Sequence, residues 1–179
     1  MLRLADGLDA LSFAIGRGIK WLAVLLVVAQ FSVVVLRYGF GSSFIWAQVL
    51  PTYLHAFLFM LAIAYVYMLD AHVRVDFFYG GWSERAKARL EIAGILLAVW
   101  PFCALLAWAS WGYVAMSFRF GEGPMQQGGL PLQPYLKGLI LVLAGLLALQ
   151  ALSVLIRAVA VLRGTGERIF PHRRSVGEA

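Results

Sequence analysis

Hydrophobic positions along the chain gather into four long runs without Asp, Glu, Lys or Arg. These runs cover residues 21–36, 38–69, 92–118 and 138–156. A helix needs about 20 mostly apolar residues to cross the roughly 30 Å hydrocarbon core of a bilayer. Gly39, Gly41, Ser42 and Ser43 indicate a turn at the start of the second run. We therefore predict an all-α membrane protein with four transmembrane helices, over about 18–37, 44–69, 90–117 and 135–160.

The segment before the first run has a different pattern. Leu4, Leu8, Leu11 and Ile15 recur at helical spacing, and the charged residues mostly lie off that line. This pattern is typical of an amphipathic helix that lies on the membrane surface. The sequence therefore predicts an interfacial helix over 1–17, within a membrane domain over 1–163 that is followed by a basic cytoplasmic tail over 164–179.

Prolines and a serine mark local features of these helices. We expect the second span to begin near Phe44, with Ser43 as its cap. Pro51 in the second span and Pro101 in the third each lack a backbone donor, so a kink is expected at both.

Composition and charge agree with a membrane protein and orient it. Of the 179 residues 62% are hydrophobic and 13% are charged. With four spans, only Arg37, Arg119 and Lys137 of the 15 Lys and Arg residues fall on one side. The positive-inside rule therefore predicts that both termini lie in the cytoplasm. The net charge of +6 follows from cations that border anionic lipid, and no nucleic-acid partner is needed to explain it.

Residues that could carry chemistry are sparse in this sequence. No Asp or Glu lies inside the four uncharged runs that form the predicted spans, which argues against a proton-driven exporter. His55 is the only histidine within a span, so this chain cannot assemble a bis-histidine haem site. Cys103 is the only cysteine, which excludes a thiol oxidoreductase that needs a cysteine pair. We predict that the chain is not an enzyme and binds no metal or other cofactor.

Asp70, His72, Arg74 and Asp76 occupy alternate positions directly after the second run. As a helix, this stretch would pair residues four apart, and as an extended strand it would place all four on one face. The neighbouring valines favour the extended form. A metal site is a third alternative, which the charge of Arg74 opposes. The stretch is either a solvated cytoplasmic edge or a charged surface that fixes the register of a partner.

His55 has two structural interpretations. An imidazole within a membrane usually marks function or an interhelical hydrogen bond. We favour a hydrogen bond, to Gln48 or to a partner helix, over proton transfer.

Several motifs resemble the small membrane subunit of tripartite ATP-independent periplasmic (TRAP) transporters, the DctQ-type family, over roughly residues 20–160. The most specific is the His-Val-Arg-Val-Asp core of residues 72–76 after the second of four spans. The other matching elements are Arg37 to Phe40, Trp46, Gln48, Tyr53 to Ala56, Trp111, Tyr113, Ser117, Glu122, Gly128 to Pro131, and Leu149 with Gln150.

The resemblance implies a small permease subunit in a bacterial or archaeal inner membrane. Its partners would be a large elevator-type membrane subunit, a periplasmic substrate-binding protein and membrane lipids. The complex would take up an organic acid with a coupling cation, and sodium is expected in the large subunit. This chain would be a scaffold without cofactors of its own, although structural phospholipids are compatible with that role. The candidate partner-interface residues are Arg37, Trp46, Gln48, His55, Asp70, His72, Arg74, Asp76, Ser117 and Glu122.

One position departs from the family pattern. Val49 follows Gln48 where the family often has an acidic residue, and Pro51 lies in the same turn. Any role of that carboxylate cannot be transferred to this chain. The alternative function is a stand-alone four-helix transporter or channel, although the sequence offers no polar pore for one.

Overall fold

The computed structural model describes residues 2–70, 82–124, 126–166 and 168–172. Within these ranges the chain is helical and contains no strand. The helices are α1 (Leu2–Gly39), α2 (Ile45–Met68), α3 (Glu84–Gly94), α4 (Trp100–Phe120) and α5 (Gln133–Leu162), and a π-helical segment (Ile95–Val99) joins α3 to α4. With α3 and α4 counted as one rod, four rods are long and apolar enough to cross a membrane. The predicted all-α fold with four spans is confirmed.

The first rod differs from the prediction. Residues 2–39 form one uninterrupted helix of 38 residues, so the structure has no boundary near residue 17. The predicted boundary between a first helix and the first span is thus absent, and the interfacial position of the segment stays a prediction. The helical periodicity was real, but neither Gly16 nor Gly18 ends the helix, so it continues directly into the apolar run.

This segment buries the polar side of its pattern against the bundle. The buried residues of α1 are Ala5, Asp9 and Ser12, on the polar side of the pattern. The side chains of Leu4 and Leu11 are exposed, by 68% and 44%. An apolar line marks the inner face of a helix only where water surrounds the protein, because lipid accepts leucine as readily as a protein core does.

Helix α5 lies at the centre of the bundle. Each of the other helices packs against it, and α1 and α2 also pack against each other. Ala88 of α3 and Ala151 and Ala158 of α5 are completely buried in the main apolar cluster, so small side chains let these helices approach closely. The end of the bundle with the α1–α2 turn and the α4–α5 loop is called the loop end. The opposite end, with residues 2–17 and 168–172, is called the terminal end.

Both prolines lie inside the spans as expected, with different local outcomes. Pro51 is buried within α2, which continues without a break from Ile45 to Met68. Before Pro101 the chain forms the π-helical segment, and the backbone N–H of Trp100 donates to the carbonyl of Ile95, five residues earlier. The wider turn relieves the contact between a proline ring and the carbonyl four residues before it. The disturbance predicted at Pro101 therefore takes the form of a π-helical turn.

Candidate partner interface

The predicted interface residues do not form one site. Arg37, Trp46, Gln48, Ser117 and Glu122 lie at the loop end, and His55 lies within α2. Asp70 follows α2 towards the terminal end, with a left-handed φ of 53°. His72, Arg74 and Asp76 lie outside the described residues, and so do the extended form and the metal site considered for that stretch.

At the loop end, the α1–α2 turn forms a small polar corner. Gly41 adopts a left-handed φ of 63°, and the backbone N–H of Ser42 donates to the carbonyl of Leu36 at 3.0 Å. The side-chain amide of Gln48 donates to the hydroxyl of Ser43. The N-cap of α2 is Phe44, which makes no side-chain cap bond, so the prediction of Ser43 as the cap is wrong. The Ser43 hydroxyl accepts from a side chain instead of a backbone N–H.

Arg37 and Trp46 lie beside this corner. Both are exposed, and the Trp46 ring lies 6.2 Å from the ring of Phe44. An arginine and a tryptophan at a helix end are typical of a membrane–water interface. The loop end therefore marks one border of the bilayer.

Ser117 and Glu122, predicted separately, belong to one cluster. The Ser117 hydroxyl and the Lys137 ammonium both donate to Oε2 of Glu122. The ammonium of Lys137 also lies 4.0 Å from the ring centroid of Tyr113. Gly121, at a left-handed φ of 57°, ends α4, and the N–H of Glu122 donates back to the carbonyl of Ser117 at 3.1 Å. This cluster connects the end of α4 to the start of α5.

The cluster also favours the ionised form of the Glu122 carboxyl. The hydrogen bond from Lys137, followed by that from Ser117, lowers the pKa of Glu122 below its ordinary value. A depressed carboxyl pKa means that the interaction is complete above the ordinary value and is lost only as the pH falls through the lower one.

We expect Glu122→Gln to loosen the α4–α5 loop at neutral pH, because a neutral amide replaces the ionic acceptor of Lys137. Hydrogen exchange of the amide of residue 122, corrected for the intrinsic rate, should accelerate about twofold to fivefold. In the wild type the same acceleration of exchange should appear only when the pH falls below the ordinary pKa range of a glutamate. Glu84→Gln, which removes an exposed ion pair with Lys87 on α3, is the control and should leave this exchange unchanged. Acceleration of the wild type already near pH 5 would contradict the assignment.

His55 does not make the expected bond to Gln48. The amide of Gln48 donates to Ser43, and the His55 ring instead lies against the ring of Phe59 at 6.5 Å, nearly parallel. His55 lines an open groove of about 640 Å³ between α1 and α2, together with Gln30 and Thr52. Of the two predicted hydrogen-bond partners, Gln48 is thus excluded, and a partner helix remains as the hypothesis.

The sequence analysis missed a buried group of polar residues between α1 and α5, called here the α1–α5 polar cluster. Its members are Asp9, Ser12, Gln150, Ser153 and Arg157. Oδ1 of Asp9 accepts from the Gln150 amide at 2.9 Å and from the Ser153 hydroxyl at 2.7 Å. Its Oδ2 accepts from Arg157 at 2.7 Å. Asp9 is thus a buried carboxylate with a cationic partner and full hydrogen bonding, the condition under which a buried charge is tolerated.

Two further groups border this cluster. Oδ1 of Asp6, whose side chain is 63% exposed, accepts from the same Arg157 at 2.7 Å. His172, in the predicted tail, has Nε2 3.4 Å from Asp9 and its ring 4.9 Å from the Phe13 ring. Residues 168–172 therefore pack back against the helices. A signal was present in the sequence: Gln150, Ser153 and Arg157 lie three and four residues apart, the spacing of one helix face.

Comparison with known proteins gives one match. The family model described as "Tripartite ATP-independent periplasmic transporters, DctQ component" matches residues 24–161, more than half of the chain. No curated protein and no solved structure matches the chain significantly. The match includes the α1–α2 groove, the Glu122 cluster and the α5 half of the α1–α5 polar cluster. It leaves out Asp9 and His172.

Proposed function

Because the chain belongs to the DctQ component family of tripartite ATP-independent periplasmic transporters, we propose that it is the static scaffold of a large membrane subunit. Family membership makes the chain the small subunit of such a transporter, in a multi-pass membrane position. In our proposal the large subunit is an elevator-type carrier, which couples the entry of a cation, expected to be sodium, to uptake of an organic acid. A periplasmic binding protein delivers that acid. The small subunit contacts neither the acid nor the cation.

The observation that carries the proposal is the central position of α5. A conduit requires helices that surround an open centre, and here a helix fills that position while the others pack around it. The outward surface is broad and apolar: Leu97 and Trp108 are each 80% exposed, and Phe31 is 67% exposed. An apolar surface of this extent suits contact with lipid and with other membrane helices.

We place the loop end on the periplasmic side and both termini in the cytoplasm. The charge distribution of the sequence supports this orientation. Arg37, Trp46, Gln48 and the Glu122 cluster would then lie near the docked binding protein. The stretch from Asp70 to Asp76 would fix the cytoplasmic edge against the large subunit.

Affinity purification of the tagged chain from its native host, in mild detergent, tests the proposal. Mass spectrometry should identify a stoichiometric membrane partner with many spans. A chain that repeatedly purifies alone, or only with copies of itself, would contradict the scaffold function.

The alternative is a stand-alone four-helix transporter or channel. Its test is the purified chain in liposomes, assayed for flux of organic acids and of sodium. We expect no flux above that of protein-free liposomes, because α5 occupies the centre of the bundle. Flux from this chain alone would favour the alternative.

The proposed cytoplasmic edge gives a prediction that rests on the sequence alone. Arg74→Ala combined with Asp76→Ala should lower uptake, and the yield of the complex should fall in proportion. The matched control is Glu84→Ala with Arg85→Ala, which also removes one anion and one cation and changes exposed residues of α3. Unchanged yield and unchanged uptake in the test variant would refute the assignment.

A further inference from the structure

Three exposed polar side chains line the groove between α1 and α2. They are Gln30 of α1 and Thr52 and His55 of α2, and all three are exposed. Within the part of the chain that the structure describes, none of their side chains makes a hydrogen bond. Ser32, also exposed on α1, differs because its hydroxyl donates to the carbonyl of Val28 at 2.8 Å. The groove thus concentrates polar groups whose hydrogen bonds must come from outside this chain.

These groups lie deep in the bilayer. Gln30 is nine residues before the end of α1 at Gly39, and His55 is ten residues after the start of α2 at Ile45. At 1.5 Å per residue, both lie about 14–15 Å from the loop end. Measured from Arg37 and Trp46, which mark the bilayer border there, Gln30 lies about 10 Å deep and His55 about 14 Å deep, well inside a core of roughly 30 Å. Water and lipid headgroups are absent at that depth, so lipid tails alone would leave the polar groups unsatisfied.

The rest of the groove is apolar and has the dimensions of a helix contact. Leu26, Val27, Phe31 and Val34 line it on α1, and Pro51 lines it on α2. The residues on α1 cover about two turns, or roughly 12 Å along the helix. A groove of about 640 Å³ with apolar walls and polar groups at its centre fits a second helix that carries a polar side chain of its own.

We propose that this groove receives one transmembrane helix of the large subunit, which presents an uncharged polar side chain to Gln30 and His55. The inference rests on the proposed scaffold function and specifies where the two subunits meet. A glutamine amide offers two N–H donors and a carbonyl acceptor, and an imidazole offers its ring nitrogens, so a serine, threonine, asparagine or glutamine on the partner can hydrogen-bond to both. An acyl chain would fill the apolar part of the groove but would supply no hydrogen bond.

Site-specific photo-crosslinking in native membranes tests the occupant. A photoreactive residue replaces Gln30 in one variant and His55 in another, and Trp108 of α4 is the control position because it is exposed and lies on a different helix. Positions 30 and 55 should crosslink to the large subunit that copurifies with the chain, at least fivefold more than position 108.

The other outcomes would contradict the groove contact, its occupant or the scaffold function. Copurification of the large subunit without crosslinks from positions 30 and 55 would overturn the groove and leave the scaffold function intact. Crosslinks to a second copy of this chain would make the groove a homodimer contact and overturn the occupant. Absence of any large subunit would overturn the scaffold function, and the groove with it.

Substitutions at positions 30 and 55 show whether the contact with the partner helix depends on hydrogen bonds or only on complementary shape. Gln30→Leu combined with His55→Leu should weaken recovery of the complex about fivefold to tenfold. Gln30→Leu combined with His55→Gln should restore part of this loss, because glutamine again donates and accepts. Ser32→Leu, at an exposed position outside the groove, is the control. Loss of the complex in the double leucine variant without rescue by glutamine would mean that shape, and not hydrogen bonding, determines the contact.

Discussion

Asp9→Ala is expected to lower the free energy of unfolding by about 3 kcal/mol. The substitution removes the shared acceptor of Gln150, Ser153 and Arg157. It also leaves the Arg157 guanidinium, whose side chain is only 11% exposed, with the exposed Asp6 in place of its buried carboxylate. The buried line of α1 consists of Ala5, Asp9 and Ser12, so the first turns of this helix lose their main attachment to α5. Equilibrium unfolding of the purified chain in mixed micelles, followed by circular dichroism, measures the effect.

Asp6→Ala is a matched control for that experiment. Asp6 and Asp9 contact the same guanidinium at the same distance of 2.7 Å, but the Asp6 side chain is 63% exposed and the Asp9 side chain is 5% exposed. An exposed ion pair contributes at most about 1 kcal/mol. Equal losses from the two substitutions would show that burial and the bonds to Gln150 and Ser153 do not determine the stability of this cluster.

Gly16→Ala is expected to lower the free energy of unfolding by about 1–3 kcal/mol, because the Tyr65 ring of α2 packs directly against this glycine of α1. A Cβ atom at residue 16 would lie 2.5–2.7 Å from three ring carbons of Tyr65. That ring also packs edge-on against Phe13, with 6.0 Å between centroids, so it cannot move without disturbing a second contact. The same unfolding measurement applies.

Gly18→Ala separates this clash from helix propensity. Both substitutions add the same methyl group to the same helix, and both gain helix propensity, by up to about 1 kcal/mol. At Gly18 the new Cβ meets nothing within 4 Å, so this variant should be as stable as the wild type or slightly more stable. Combining Gly16→Ala with Tyr65→Leu should recover part of the loss. Indistinguishable stabilities of the two glycine variants would refute a close approach at residue 16.

The number of spans could be predicted because uncharged runs of sufficient length are required by the bilayer itself. The charged residues that interrupt the runs left few alternatives. A kink was predicted at Pro101, but its form, a π-helical turn before the proline, was not. Helix ends that depend on tertiary contacts were harder to predict from the sequence. Ser43 looked like a cap from its residue type alone, but the nearby amide of Gln48 occupies its hydroxyl.

The faces of the helices could not be predicted, for a physical reason. Lipid and protein interior are similarly apolar, so leucine spacing does not distinguish them, and α1 turned its polar line inward to Gln150 and Arg157. Small residues were equally ambiguous. A Cβ at Gly94 would meet nothing within 4 Å, whereas a Cβ at Gly16 would meet the Tyr65 ring, and residue type alone does not separate the two glycines.

The assignment of the candidate residues to a partner interface stays a prediction, and their contacts within the chain could be predicted only in part. Ser117 and Glu122 could be selected by resemblance, but their connection through Lys137 depends on how α5 returns beside α4. The α1–α5 polar cluster was not predicted, because its carboxylate on Asp9 and its guanidinium on Arg157 are separated by almost the whole chain. Their pairing follows from the central position of α5, which no local pattern encodes.

The two outward flanks of the bundle differ in hydrophobic length. The uncharged run of α1, residues 21–36, extends about 24 Å, whereas the run through the π-helical segment and α4, residues 92–118, extends about 40 Å. One flank is thus shorter than an average hydrocarbon core and the other is longer. The short flank favours a locally thinner bilayer or cations that extend to the headgroups, and the long flank must tilt or thicken the bilayer beside it. The two flanks of a single subunit thus favour bilayers of different thickness.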